Sequence, residues 1–256
     1  MSHQINYRYY QPQNYNLFDT TGNFSTGFYN SLGYKASLVE QTTNNTFYPS
    51  KGHLFKLEGM TTLPTSLIKK NISSLSNQDK YKWLEYYKLK ASLKHYLPIG
   101  KSNKTVLAST VGVGYLGRYN KELNIVPFER FEMGGTGITN YSINANDIIG
   151  LRGYDAGSLS NDGGDPIALK MSVELRHKLV SFDKWMMTGH LFYENGNTLS
   201  LGDNLNLNHA VGVGSKLYIP LLGVVGVDCG WGLNKVGFQW KEPTVQFTIG
   251  LDVGDF

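Results

Sequence analysis

The chain has 256 residues, one cysteine and a formal net charge of +4, and its length is sufficient to bury a sizeable core. Charged residues make up only 17% of the chain, which is low for a soluble domain. Lysine and arginine form no sustained basic block, so nothing in the sequence indicates a nucleic-acid partner. The single cysteine, Cys229, excludes an intramolecular disulfide framework and a cysteine-based zinc site.

The sequence predicts no membrane-spanning helix, and its first residues do not resemble a signal peptide. No apolar run reaches the roughly 18 residues that a membrane helix requires. The first residues, MSHQINYRYYQPQN, have neither a basic region nor an apolar region of the kind found in signal peptides. We therefore expect either a cytoplasmic protein or a piece of a protein whose targeting segment lies elsewhere, and the strand pattern distinguishes the two.

Alternation of apolar and polar residues is weak at the start of the chain and becomes clearer further along. The alternation predicts short or imperfect strands at residues 5–9, 32–38 and 55–57. The segment 77–95 contains good helix formers, but strict alternation after Tyr86 favours a strand there. Another alternating strand is predicted from Leu107 to Tyr115.

The second half of the chain alternates with a strict period of two. In ALKMSVELRHKL, which begins at residue 168, Leu169, Met171 and Val173 share one face and Lys170 lies on the other. The same parity continues through residue 251. The pattern predicts strands whose odd-numbered residues face one environment and whose even-numbered residues face another.

About ten strands are predicted, and two architectures share such a pattern. A soluble β-sandwich turns its apolar face inward, whereas an outer-membrane barrel turns it toward lipid and keeps polar and small residues inside. Short and long connections also alternate, as they do in outer-membrane barrels. The short ones are 98–104, 180–184 and 220–223, and the long ones are 63–86, 118–167, 195–208 and 234–244. We therefore predict an all-β, antiparallel transmembrane β-barrel.

Several motifs, in a specific order, resemble those of a known family. They are PFERFEMGG (127–135), LRGY (151–154), VELR (173–176) and LFYENG (191–196), with a final Phe256. Upstream, INYRYYQPQNYNL and FYPSKGHLFKLEG also fit. The chain resembles the C-terminal barrel of BamA-type outer-membrane assembly factors of the bacterial surface antigen family, in the version of Bacteroidetes-like bacteria.

The resemblance implies a single outer-membrane barrel domain over residues 1–256, with about ten of sixteen strands and no POTRA repeats. Ten strands of such a barrel would leave an open edge in lipid, which unpaired backbone groups forbid. We therefore expect a C-terminal fragment, a truncated paralogue, or a chain that closes with another copy.

The resemblance also implies a site inside the barrel. The loop 118–167 would fold into the lumen, where Arg152 of the LRGY motif (Leu151, Arg152, Gly153 and Tyr154) would contact acidic side chains of the inner wall. By position, Glu174 and Glu194 match those acids. Both also fall on the polar parity of their strands, and a guanidinium between carboxylates makes strong bidentate hydrogen bonds.

Other candidate sites are weaker. Gly134 and Gly135 are followed by no helix and lack the spacing of a phosphate-binding loop, so we expect a loop hinge. His190 and Glu194 are too far apart along a strand to chelate a metal. No catalytic signature and no cofactor motif is found, so we expect neither an enzyme nor a cofactor or metal site.

The last strand, TVQFTIGLDVGDF, offers a structural and a functional interpretation. Its aromatic end is typical of a lipid-facing strand at the membrane interface. In the family it forms one side of a seam where client strands add, which here would involve Phe247, Gly250 and Phe256.

Two functions of different classes follow. The first is an insertase component that folds client β-barrels without nucleotide, and its expected partners are outer-membrane lipids, client barrels and accessory assembly lipoproteins. The second is a passive or degenerate barrel that keeps only the fold. A translocation pore of the same superfamily is a third, weaker possibility.

Overall fold

The computed structural model describes residues 1–12, 27–68, 72–135, 146–182, 185–219, 223–233 and 242–250. Ten long strands dominate it, and two short strands, one short α-helix and two 3₁₀-helices, Thr65–Leu67 and Ile72–Ser74, lie in the connections. The strands are β1 (Ser2–Tyr10), β2 (Tyr29–Gln41), β3 (Gly52–Thr62), β4 (Tyr87–Ile99), β5 (Thr105–Gly117), β6 (Phe131–Met133), β7 (Asp147–Ile149), β8 (Ile167–Ser181), β9 (Met186–Leu199), β10 (Asn208–Ile219), β11 (Gly223–Leu233) and β12 (Thr244–Ile249), and the helix is α1 (Asn77–Tyr81).

The ten long strands form one antiparallel sheet in chain order, β1-β2-β3-β4-β5-β8-β9-β10-β11-β12. β6 and β7 pair in parallel as a separate two-stranded unit inside the connection between β5 and β8. The prediction of an all-β, antiparallel fold with about ten strands is confirmed. Within the described residues, no helix is long and apolar enough to cross a membrane.

One face of the sheet is apolar and exposed. Val213, Val225 and Phe247 are 45%, 36% and 64% exposed, and Leu89 and Val111 on earlier strands are similarly open. A soluble protein does not leave so large an apolar surface in water, because that surface costs free energy in proportion to its area. This is the face that an outer-membrane barrel presents to lipid.

The opposite face is polar and buried. Its buried residues include Lys88, Lys94, Lys170, Glu174, Thr188, His190, Glu194 and Asp228. From β8 to β12 these inward residues are even-numbered and the exposed apolar ones are odd-numbered, as the alternation predicts, except for the exposed Val180, which follows a register shift near the end of β8. Leu251 lies outside the described residues. This arrangement is the reverse of a sandwich, in which the apolar face would be the buried one.

Two local details refine the sequence prediction. The segment 77–95 divides into the five-residue helix α1 and the strand β4, so the preference for a strand after Tyr86 is confirmed. A register shift between Lys178 and Val180 interrupts the pairing of β8 with β9. Side-chain alternation gives no signal for such a bulge, since one extra residue locally breaks the period on which the prediction rests.

The sheet curves strongly around its polar face. Phe47, in the connection between β2 and β3, lies 4.1 Å from Tyr218 of β10, measured between ring centroids. β3 and β10 are five strand positions apart, which would be about 24 Å along a flat sheet. The contact therefore requires a curled sheet, and the polar face is its concave side.

Candidate functional site

The connection between β5 and β8 folds over the concave face. Its apolar side chains are buried against the sheet, and they are Leu123, Val126, Phe128, Phe131, Met133, Ile149, Leu151 and Tyr154. They pack with wall residues such as Tyr29, Tyr86, Ala168 and Ala210. A loop that buries this many apolar groups is a packed part of the structure.

Arg152 lies among acidic side chains from three strands. Its Nε and Nη2 donate to Glu194 Oε1 at 3.0 and 2.7 Å, and Nη2 also donates to Glu174 Oε2 at 2.9 Å. Nη1 donates to Asp228 Oδ1 at 3.2 Å and lies 3.3 Å from His190 Nε2. The structure thus brings together Arg152 and both predicted glutamates, and it adds an aspartate and a histidine.

Glu194 binds the loop through both of its carboxylate oxygens. One oxygen accepts from the guanidinium, and the other accepts from the backbone N–H of Arg152 at 2.9 Å. The Arg152 side chain is 13% exposed and that of Glu194 is 3% exposed, so water competes little for these bonds. A single carboxylate therefore fixes both the side chain and the backbone of the motif.

Two further cations help to balance the charge of this cluster. Glu174 Oε1 accepts from Arg176 Nε at 2.5 Å and lies 3.8 Å from Lys216 Nζ. Burial disfavours the charged guanidinium, but Glu194, Glu174 and Asp228 outweigh that effect and raise the pKa of Arg152 above its ordinary value. Arg152 is therefore positively charged at neutral pH.

Glycines on β10 make room for the cluster. Gly214 pairs with His190 on one side and Asp228 on the other, and these two side chains meet above it at 2.5 Å. A Cβ at Gly214 would lie 2.2 Å from Asp228 Oδ1. The Phe192 ring likewise occupies the space where a Cβ at Gly212 would lie. The centroid of that ring is 3.7 Å from the guanidinium carbon of Arg152. These small residues let the wall close around the guanidinium.

Gly153 places the loop backbone directly on β11. It has a φ of +85°, and a Cβ there would lie 2.9 Å from Trp231 C and 3.0 Å from Gly232 N. On the strand side, a Cβ at Gly230 would lie 2.7 Å from Gly153 N. Glycine is required on both surfaces because the two backbones touch.

Tyr154 extends the contact to the neighbouring strands. Its hydroxyl donates to the carbonyls of His209 at 2.8 Å and Leu233 at 3.1 Å. Its own carbonyl accepts from Gln246 Nε2 of β12 at 2.8 Å. Leu151 on the other side of Arg152 is fully buried. The four LRGY residues therefore contact every strand from β8 to β12 directly or through one side chain.

Gly134 and Gly135 lie where β6 ends, and their φ values are +128° and +70°. A Cβ at Gly134 would meet Asp155 O at 2.2 Å, and their amides donate to Ile149 O and Tyr154 O at 3.0 Å. These glycines thus pack against the segment that carries the LRGY motif. Whether they act as a hinge stays a prediction.

The other side of the loop carries acids that meet a basic part of the wall. Glu129 is buried, forms an ion pair with Arg8 of β1, accepts from the Tyr10 hydroxyl at 3.4 Å and lies 3.5 Å from Lys88 Nζ. It adopts φ +65°, a strained conformation for a residue other than glycine. Phe128 stacks on Tyr10 with ring centroids 4.2 Å apart. These contacts hold the end of β1.

Asp147 of β7 continues this second contact. It lies 3.1 Å from Lys88 Nζ and 2.9 Å from Lys90 Nζ. Burial acts to raise the pKa of Asp147, but the two lysines outweigh it and hold that pKa below its ordinary value. The loop is therefore attached to the wall at two places of opposite charge. At one place Arg152 of the loop lies among acidic wall residues, and at the other Glu129 and Asp147 of the loop lie among basic wall residues.

Sequence reasoning missed Asp228, His190, Glu129 and Asp147 as partners. Asp228 was visible in principle, because it lies on the polar parity of its strand. Its contact with Arg152 depends on strand register, which alternation alone does not give. Among the described residues, no group of three or more histidine, cysteine, aspartate or glutamate side chains is arranged to hold a metal ion.

The residues assigned to the seam lie away from this cluster. Phe247 points outward from β12, and Gly250 follows that strand with φ +108° and donates its amide to Val224 O at 2.8 Å. Phe256 lies outside the described residues.

Comparison with known proteins identifies the family. The profile of the Omp85 superfamily domain matches residues 2–253. The chain belongs to the Omp85 superfamily. This is a family of outer-membrane insertion or translocation proteins, whose barrels are non-enzymatic and reside in the bacterial outer membrane.

Solved structures support the fold of this Omp85 chain. It is similar to the crystal structure of BamA from Haemophilus ducreyi lacking POTRA domains 1–3, with a TM-score of 0.62 and 15% sequence identity. The alignment covers 87% of this chain and 44% of that one, so the chain spans less than half of the BamA chain that it matches. No curated protein sequence matches it.

Proposed function

We propose that this Omp85 chain belongs to an outer-membrane assembly factor that inserts client β-barrels without enzymatic chemistry. The observation that supports this most is the docked loop, which fills the concave face through the contacts of Arg152 and Glu129. A filled lumen is poorly suited to carrying polypeptide, which leaves the strand edges as the place where a client can interact.

The mechanism that we propose is strand addition at a lateral seam. β1 and β12 are the edges of the described sheet, and an edge strand offers unpaired N–H and C=O groups. In lipid each unpaired backbone group costs several kcal/mol, so a client strand that pairs with such an edge is strongly stabilised there. This driving force requires no nucleotide, and Phe247 and Gly250 would flank the edge on the β12 side.

Residues 1–256 would act as one barrel domain, with the loop 118–167 inside it as a lock. The exposed apolar face is suited to contact with outer-membrane lipids. Client β-barrels and accessory assembly lipoproteins are the proposed protein partners. The role of the lock is to keep the wall from β8 to β12 in one shape while a client engages the edge.

Insertion into liposomes tests this function. The full-length protein is reconstituted into lipid vesicles, an unfolded client barrel is added, and the heat-modifiable folded client is quantified on semi-native gels. We expect faster client folding than in protein-free vesicles, a reduced rate with Arg152→Ala, and an unchanged rate with Lys121→Ala, which removes an exposed charge from the same loop.

Two outcomes would contradict the proposal. Client folding no faster than in protein-free vesicles would favour a passive or degenerate barrel. Passage of unfolded polypeptide into the vesicle interior, without insertion, would favour a translocation pore.

A further inference from the structure

The connection 42–51, between β2 and β3, lies at the same end of the sheet as the short turns. Its neighbours at that end span 100–104, 182–185 and 220–222, each at most five residues long. Turns at this end of outer-membrane barrels are normally short, because they only reverse the chain. A ten-residue connection there requires another explanation.

Two asparagines give this connection a defined shape. The Asn44 side-chain oxygen accepts from the amides of Ser50 at 3.0 Å and Lys51 at 3.2 Å. The Asn45 side-chain oxygen accepts from the amides of Phe47 at 2.8 Å and Tyr48 at 2.9 Å. Such bonds replace secondary structure in satisfying the backbone, so the loop is ordered by its own sequence.

Tyr48 packs inside the curve of the sheet. It is 6% exposed and forms an apolar cluster with Tyr96, Val106 and Ala108, all on inward positions of β4 and β5. Its hydroxyl donates to Lys104 O at 2.7 Å. The ring is therefore anchored at both its apolar face and its polar tip.

Phe47 extends the contacts of this loop to β10. Its ring packs on Tyr218 of β10. Lys178 lies 4.9 Å from the centroid of the Tyr48 ring, and its strand, β8, lies between β5 and β10 in the sheet. The loop thus contacts β4, β5, β8 and β10, and it reaches across the part of the concave face that lies between β4 and β10.

We propose that loop 42–51 is a plug that closes the short-turn end of the concave face to polypeptide and to large solutes. Apolar residues of the connection between β5 and β8 pack on the same face and enter it from the opposite, long-loop end. This inference goes beyond the proposed function, because a plugged lumen is compatible with insertion at an edge and also with a passive barrel.

Thiol protection tests the plug directly. In a Cys229→Ser background, Ala108→Cys places a reporter beneath Tyr48, and the folded protein in vesicles is treated with a bulky maleimide. We expect the reporter to be protected in the native loop and with Thr46→Ala, an exposed position in the same loop. Combined Phe47→Ala and Tyr48→Ala substitution should abolish protection, because the anchors are gone.

Folding is checked separately, so that a negative result can be interpreted. Heat-modifiable migration shows whether each variant retains the sheet, and Asn45→Ala gives a milder variant that removes only the two amide contacts of its side chain. Loss of protection in that variant supports the plug. Full labelling of the reporter under the native loop, or persistent protection in a folded double variant, would overturn it, and neither outcome depends on client insertion.

Discussion

Truncation of Arg152 is the most informative perturbation of the loop. Arg152→Ala removes the hydrogen bonds to three carboxylates, of Glu174, Glu194 and Asp228, whose side chains are only 5%, 3% and 2% exposed. Water cannot replace the guanidinium well at such a site. Removing one partner of a buried ion pair typically costs about 3–5 kcal/mol, because the remaining charge is left uncompensated. We expect a loss of that size in the free energy of unfolding.

Two companion variants show where the effect originates. Arg152→Lys keeps the charge but not the planar fork, so it should recover only part of the stability. Arg152→Ala combined with Glu194→Ala should cost less than the sum of the two single substitutions, since the second removes a stranded carboxylate.

Unfolding by denaturant in detergent micelles or vesicles, followed by heat-modifiable migration, measures these values. Lys121→Ala is the matched control. An Arg152→Ala variant whose stability lies within about 0.5 kcal/mol of that control, the range of ordinary surface substitutions, would refute the reasoning.

Three further predictions test other parts of the structure. Gly153→Ala should cost at least about 1–3 kcal/mol, because alanine is strained at φ +85° and its Cβ meets the backbone of Trp231; wild-type stability would show that the loop does not lie on β11. Glu129→Gln should speed amide exchange in β1 while Glu122→Gln does not, and equal exchange in both would argue against the tie to Arg8. Val213→Lys on the exposed face should cost about 2–4 kcal/mol in lipid, where Val213→Thr costs less; a neutral lysine there would contradict the lipid-facing assignment.

The sheet was largely predictable because its two faces meet different environments. In β8, every second residue from Ile167 to Leu175 is apolar and faces outward, because a strand in a barrel wall meets lipid on one face and the lumen on the other. The strand β4 was recoverable from alternation although its flank favours a helix. The bulge near Lys178 was not recoverable, since it is a local break in the pattern.

The site was only partly predictable. The order of the motifs, together with strand parity, predicts Arg152, Glu174 and Glu194 as residues of the site. The partnership with Asp228 needs the register of β9, β10 and β11, which sets which even positions lie in one row. The ion pair of Arg8 with Glu129 joins residues separated by more than a hundred positions, and one of them lies in a loop with no periodicity. Such contacts depend on the curvature of the whole sheet.

Cross-linking of the loop to the wall in the membrane tests the central claim most directly. Ser160 Oγ in the loop lies 3.0 Å from Thr198 Oγ1 of β9, so cysteines at both positions, in a Cys229→Ser background, are placed to form a disulfide. We predict rapid oxidation to one cross-linked species in intact membranes, and none when the partner cysteine replaces Thr188 near the opposite end of β9. Absence of the Ser160–Thr198 cross-link, or equal yield with both partners, would show that the loop is not docked on the concave wall.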